Sequence, residues 1–324
     1  MVKKLKDGHA ILGLKYPIIQ GGMGNISNAQ LTSAVSKAGG LGTVGAGTMH
    51  PDEVEKIIVD TKERTNKPFS LNIPITVTEY TEELLDLAIR HKIAAVTLSA
   101  GNPSPFIPVL QKNGIKVIVI VASVRHAVKA AEAGADLLVA EGFEAAGINS
   151  SLELTTFSLI PQIVDKVEIP VYAAGGIADG RGLAAALMLG ASGVQMGTRF
   201  IAVKEAPFHE SYKQKLLKAD DLGTVILGRS LGRVRRVLKG KYVESIMDLE
   251  QKGMTVGDFA EKTSEQHHIQ GAVHGDFENG YVNGGQASGL IVNIPSVEQL
   301  MEGMMEQALR QIKQVSGYLQ KSID

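Results

Sequence analysis

Two glycine-bearing strand ends are the places in this chain best suited to chemistry. Ala174, Gly175 and Gly176 close one short apolar run, and Gln195, Gly197 and Thr198 close the next, with an Ala/Leu-rich helical run over 181–189 between them. Glycine has no Cβ, so main-chain N–H groups there can come close to an anion, and a following helix start adds partial positive charge. The chemistry this suits is phosphate binding. Other run ends supply Gly22, Met23, Asn72, Ser99, Gly101, Ser123 and Glu141. Glu141 ends an apolar run and is followed by glycine, a place where an acid has little structural reason to be. Gln195 lies within an apolar run, so its amide needs a partner from backbone or ligand. No His/Asp/Glu set has metal-ligand spacing and no G-x-S-x-G elbow occurs, so no metal is expected. A site this poor in acids and bases suits a cofactor that brings its own reactivity.

Plainer readings stand beside these. The glycines could be turn residues, Asn72 could bond to backbone at a strand end, and Met23 could be core. The basic run over 229–236 (RSLGRVRR) reads as a solvated or ion-paired face, and His267, His268 and His274 read as surface residues.

The elements that must position these residues alternate. Short apolar strands are read over 16–20, 41–44, 69–73, 94–98, 116–121, 136–140, Val171–Ala174 and Gly193–Met196, with helical patterns between them. Eight buried, nearly all-apolar strands in that rhythm predict an α/β fold, a (β/α)8 TIM barrel with a smaller lid domain inserted after the eighth strand. An open doubly wound sheet is the alternative, but no G-x-G-x-x-G follows the first strand. The expected organisation is residues 1–203 for the eight barrel strands, 204–291 for the lid, including a polar helix-like stretch over 255–268, and 292–324 for a C-terminal helix returning to the barrel. That helix shows apolar residues at helical spacing through 296–323.

The chain has 324 residues, 44% hydrophobic content and a formal net charge of −1, enough for a large core and too balanced for a general polyanion binder. Nucleic acid and membrane partners are therefore not expected. No apolar run spans a bilayer and no signal-like segment opens the chain, so a soluble, cytoplasmic protein is expected. The absence of cysteine excludes disulfides, cysteine-ligated clusters and thiol nucleophiles.

Several segments carry a resemblance. PIIQGGMG at 17–24, AVSKAGGLG at 34–42, PFSLNI at 68–73, SAGNPSPFI at 99–107, AEGFEAAG at 140–147, AAGGIADGRGLAAALMLGASGVQMGTRF at 173–200 and GGQASGLI at 284–291 resemble the FMN-dependent nitronate monooxygenases and the flavin-type enoyl-ACP reductases (enoyl-ACP reductase II). The resemblance implies an FMN-binding barrel with Gly22, Met23 and Asn72 beside the flavin and Glu141 near it. It puts Ala174, Gly175 and Gly176, with Gln195, Gly197 and Thr198, around the ribityl phosphate. Gly101, Gly147, Gln286 and Ser288 are expected on the substrate and lid side. Both branches usually carry a histidine in the loop after strand six, and here Ile148 stands in its place, followed by Asn149 and Ser150. Isoleucine cannot move a proton, which leaves Asn149 and Ser150 as candidates to replace it.

The implied reaction is NADH- or NADPH-dependent reduction of an enoyl thioester, with acyl carrier protein as a conceivable carrier of the substrate. The alternatives are oxidation of alkyl nitronates with O2 and a non-redox barrel that binds a phosphate ligand. A homodimer is the assembly to test.

Overall fold

The computed structural model describes residues 6–321; the last residues of the expected C-terminal helix, 322–324, lie outside that range. Eight parallel strands form the barrel: β1 (Ile18–Gln20), β2 (Gly42–Gly45), β3 (Phe69–Pro74), β4 (Ala95–Ser99), β5 (Lys116–Val121), β6 (Leu137–Glu141), β8 (Val171–Ala174) and β9 (Gly193–Met196). The two-residue strand β7 (Gly147–Ile148) lies outside the barrel wall. Neighbours run β1-β9-β8-β6-β5-β4-β3-β2. A parallel bridge between Ile19 and Leu41 joins the two ends, with Leu41 N–H donating to Ile18 O at 3.0 Å and Gln20 N–H to Leu41 O at 2.9 Å. The wall is therefore closed, and the eight-stranded TIM barrel read from the sequence is what forms.

Local chemistry sets the intervening helices. Asn28, Ser123 and Asp179 each accept a hydrogen bond from the first turn of the helix they precede, satisfying donors the helix leaves open. Helix Thr156–Val164 ends at its cap Asp165, after which the chain turns into β8. Helix Val297–Gln320 starts in a capping box of Ser296 and Gln299 and packs on helices Gly180–Met188 and Ala29–Ala38. It thereby occupies the place of the helix that follows the last barrel strand. The approach is close: a Cβ on Gly180 would lie 2.7 Å from Ala308 N, so this contact requires glycine.

The segment between β9 and that helix carries the antiparallel pair β10 (Thr224–Leu227) and β11 (Arg235–Leu238). It also holds helices Glu210–Leu217, Lys241–Gln251, Val256–Lys262 and Glu265–Ala272. Leu227, Val237, Val243, Ile246, Phe259 and Tyr281 form a core of its own. The stretch 255–268, read as one polar helix, is two helices that break at Thr263 and Ser264, with Phe259 and His268 turned inward. The basic run is also not a solvated face throughout. Arg235 and Arg236 are buried on β11, which pairs with β7 so that Arg235 lies opposite Ile148 and Arg236 opposite Gly147. Among the described residues no helix is long and apolar enough to cross a membrane.

Candidate active site

At the C-terminal ends of the barrel strands lies a cavity of about 760 Å³. Its floor is made by the strand ends singled out in the sequence: Gly22, Met23, Asn72, Glu141, Ala174, Gly175, Gly176, Gln195, Gly197 and Thr198 all line it. Parallel strands deliver these residues together because every strand runs the same way and ends at the same mouth. Gly175 and Gly176 have φ of +97° and +76°, a conformation that side chains resist, so the chain turns here with its N–H groups unshielded. Gly197 differs: its φ is −104°, and a Cβ built on it meets no atom within 4 Å. That open space is a cradle beside the backbone. Thr198 is turned away from it, its Oγ1 accepting from Gly285 N–H at 3.0 Å.

Three floor side chains have unspent capacity. Asn72 donates to Thr97 O at 3.1 Å and Ser99 Oγ at 3.0 Å, which leaves its Oδ1 against Gly22 and free to accept. Backbone bonding and an open acceptor thus coexist in Asn72. Gln195 is buried, yet its amide has no hydrogen-bond partner among the described residues. Glu141, half-buried, likewise has none, and burial pushes its carboxyl up to about 7.

The loop after β6 forms one wall. Glu144 accepts from Thr156 N–H and Oγ1–H, a structural role at the start of helix Thr156–Val164. Gly147, Ile148, Asn149 and Ser150 line the cavity, but Asn149 donates to Ala145 O at 2.9 Å and Ser150 Oγ accepts from Leu152 N–H at 3.2 Å. Both candidate replacements for the histidine are therefore engaged in holding the loop. Arg236 braces it from outside, donating to Phe143 O at 3.1 Å and lying 4.9 Å from the Phe143 ring centroid. Gly101 lines the rim, whereas Gln286 and Ser288 do not line the cavity. Gln286 is exposed and Ser288 turns its hydroxyl back to Gly285 O at 2.7 Å, so their neighbours Gly285 and Ala287 face the space instead.

The roof comes from the inserted segment and was not legible in the sequence. His268, read as a surface residue, is 3% exposed and lines the cavity with Arg235, Glu265, Asn283 and Tyr212. His268 Nδ1 is 3.5 Å from Glu265 Oε2, and Asn283 Nδ2 is 3.1 Å from His268 Nε2. Tyr281 stacks on the imidazole at 5.4 Å and accepts from Arg235 at 2.6 Å. Burial alone would raise the Glu265 carboxyl, but the His268 contact and the charges of His268 and Arg235 outweigh it and hold the group below its ordinary range. Only the clustering of histidines at 267 and 268 in a helix could have hinted at this.

The family model for nitronate monooxygenases matches residues 6–100 and 74–307. The chain belongs to the nitronate monooxygenase family. Within the family it is 30% identical to the nitronate monooxygenase of Paraburkholderia phytofirmans, over 95% of this chain and 97% of that one. It is 31% identical to the (3aS,4S,5R,7aS)-5-hydroxy-7a-methyl-1-oxo-octahydro-1H-indene-4-carboxyl-CoA dehydrogenase of Mycobacterium tuberculosis, over 96% and 98%. Among solved structures, FabK from Thermotoga maritima superposes with a TM-score of 0.92 at 40% identity, covering 98% of this chain and 100% of that one.

The protein is accordingly a flavin-dependent oxidoreductase. The floor fits a flavin on its own evidence: an open cradle at Gly197, left-handed glycines at 175 and 176, and polar side chains at 195 and 141 that no group among the described residues satisfies. In the loop after β6, Ile148 is 56% exposed and no residue from 147 to 150 has a titratable side chain. Among the described residues no cluster of His, Asp and Glu could hold a metal.

Proposed function

We propose that this protein is an FMN-dependent reductase that uses NADH or NADPH to reduce the double bond of an enoyl thioester, carried on coenzyme A or acyl carrier protein. The observation that carries this reading is the 40% identity to FabK, an enoyl-ACP reductase II, over 98% of the chain, compared with 30% to the nitronate monooxygenase of P. phytofirmans. The cavity rim adds support. Arg125, His126 and Lys129 line it on one helix, exposed and without an ion pair among the described residues, where the phosphates of coenzyme A, a phosphopantetheine arm or a nicotinamide nucleotide would meet them.

In this reading Gly175, Gly176 and Gly197 hold the FMN phosphate through main-chain N–H groups with the Gln195 amide beside them, and Asn72 bonds to the flavin ring system. Bound FMN supplies reversible hydride chemistry that no side chain here can. Glu141 contributes a carboxyl that burial keeps protonated to about pH 7, a donor rather than a base below that pH. The inserted segment covers the cavity and limits water access.

A second reading rests on one observation. A nitronate arrives already deprotonated, so oxidation of alkyl nitronates needs no base at the position of Ile148. The two are separated by identifying the cofactor released on denaturation and comparing turnover of trans-2-enoyl thioesters with NADH or NADPH against turnover of alkyl nitronates with O2. Enoyl-thioester turnover dominating supports the reductase; nitronate turnover alone overturns it.

A further inference from the structure

The reductase reading requires a proton at the α-carbon, and the loop over 147–150 that lines the cavity (Gly147, Ile148, Asn149, Ser150) has no titratable side chain to supply one. We propose that His268, positioned by Glu265 and Asn283 in the cavity roof, is the proton donor. This rests on the enoyl-thioester reading of the preceding section.

Three observations converge on this cluster. Glu265 Oε2, His268 Nδ1 and Asn283 Oδ1 are each buried without a hydrogen-bond partner, and all three residues line the cavity. Buried polar atoms are normally satisfied, so a group of unsatisfied ones on a cavity wall is where a bound molecule or a moving proton completes the bonding. The ring is also held in place. Tyr281 stacks on one face, Glu265 lies 3.5 Å from Nδ1, Asn283 reaches Nε2 at 3.1 Å, and Tyr212 donates to the Asn283 carbonyl.

The third observation connects roof to loop. The β11–β7 register sets Arg235 opposite Ile148, the Arg235 guanidinium lies 5.4 Å from the Tyr281 ring, and Tyr281 stacks on His268. From the other side, a Cβ on Gly147 would sit 3.9 Å from the Asn283 amide. The residue before Ile148 and the partner of His268 are thus neighbours. A proton from the roof enters the same cavity that the 147–150 loop lines.

The step balances as follows. When hydride reaches the β-carbon, the π electrons of the double bond pass to the α-carbon and the thioester oxygen. The Nε2 proton of the doubly protonated His268 ring then moves to the α-carbon, whose electron pair forms the new C–H bond, and leaves a neutral ring with its hydrogen on Nδ1. The nicotinamide dinucleotide is oxidised, the enoyl group is reduced, and the neutral imidazole takes a replacement proton from water. Asn283 suits both states of the ring, since its amide can donate to a bare Nε2 or, turned over, accept from a protonated one. Glu265 stays anionic, lies 3.5 Å from Nδ1 and is a positioning residue.

The test uses flavin-loaded His268→Gln and Glu265→Gln proteins, each reduced and then mixed anaerobically with an enoyl thioester. In His268→Gln the re-oxidation rate is expected to fall ~100-fold relative to the rate of reduction by nicotinamide nucleotide in the same sample. Adding Ile148→His to His268→Gln is expected to restore about tenfold. Independently of turnover, 15N spectra of histidine-labelled apoprotein should show the His268 hydrogen on Nδ1, and Glu265→Gln should redistribute it. Wild-type re-oxidation rates in His268→Gln, or an unchanged tautomer in Glu265→Gln, would overturn the proposal. If no enoyl thioester re-oxidises even the wild type, the thioester reading falls with it, and the nitrogen spectra alone then report on the Glu265–His268 pairing.

Discussion

Replacing Gly197 by alanine separates the cofactor cradle from the fold. The backbone there has φ −104° and ψ −68°, open to any residue, and the added Cβ would meet nothing within 4 Å. The apoprotein should therefore be as stable as wild type, or more so by roughly 0.4–1 kcal/mol from lost unfolded-state freedom. The methyl group nevertheless occupies the space in which a phosphate would approach the backbone N–H groups. Losing one charge-assisted hydrogen bond is worth about 1.5–3 kcal/mol, which corresponds to roughly a 10- to 150-fold weaker flavin affinity. The assay is titration of apoprotein with FMN, followed by flavin fluorescence, with thermal melts of apo and loaded forms. Wild type should gain melting temperature with FMN and Gly197→Ala should gain less at equal ligand. Gly176→Ala should differ in also destabilising the fold, since φ of +76° should cost about 1–2 kcal/mol there in addition to any loss of FMN affinity. Unchanged FMN affinity in Gly197→Ala would refute the cradle.

Glu141 gives a pH prediction. Its folded carboxyl titrates near 7 against 4.5 for the free group, so the native state holds the extra proton between those values and apoprotein stability falls as pH rises from about 4.5 to 7. Glu141→Gln should flatten that slope, by on the order of 1–3 kcal/mol at neutral pH in denaturant melts; an unchanged slope would count against the burial argument. Arg236→Ala should cost about 1–3 kcal/mol, because it leaves Phe143 O and Thr224 Oγ1 without their donor, and should loosen the loop to proteolysis near Phe143. Charge reversal at Arg125 and Lys129 together should raise KM for a coenzyme A thioester far more than for the same acyl group on a short phosphate-free thiol; equal effects on both would remove the rim from substrate binding.

What the sequence revealed and what it hid follow from the range of the interactions involved. Barrel strands buried on both faces read as continuous apolar runs, and their common direction brings every glycine-rich end to one mouth, so the floor was visible residue by residue. Gln195 stood out because an amide in an apolar strand has few structural uses, and the fold leaves it unpaired. The roof was hidden because its burial depends on contacts across the whole chain. Arg235 and Arg236 look like surface charge until β11 pairs with β7, and His268 looks exposed until helix Glu265–Ala272 settles over the barrel mouth. Gln286 and Ser288 fell one residue out of register, since the 3-10 turn over Gln286–Leu290 rotates their neighbours inward.

The central claim is tested most directly by mixing the flavin-loaded protein anaerobically with NADH or NADPH in a stopped-flow instrument, then adding a trans-2-enoyl thioester. The flavin colour is expected to bleach with at least one nucleotide and to return on adding the thioester. A flavin that stays oxidised with both nucleotides and bleaches with an alkyl nitronate would contradict the reductase assignment.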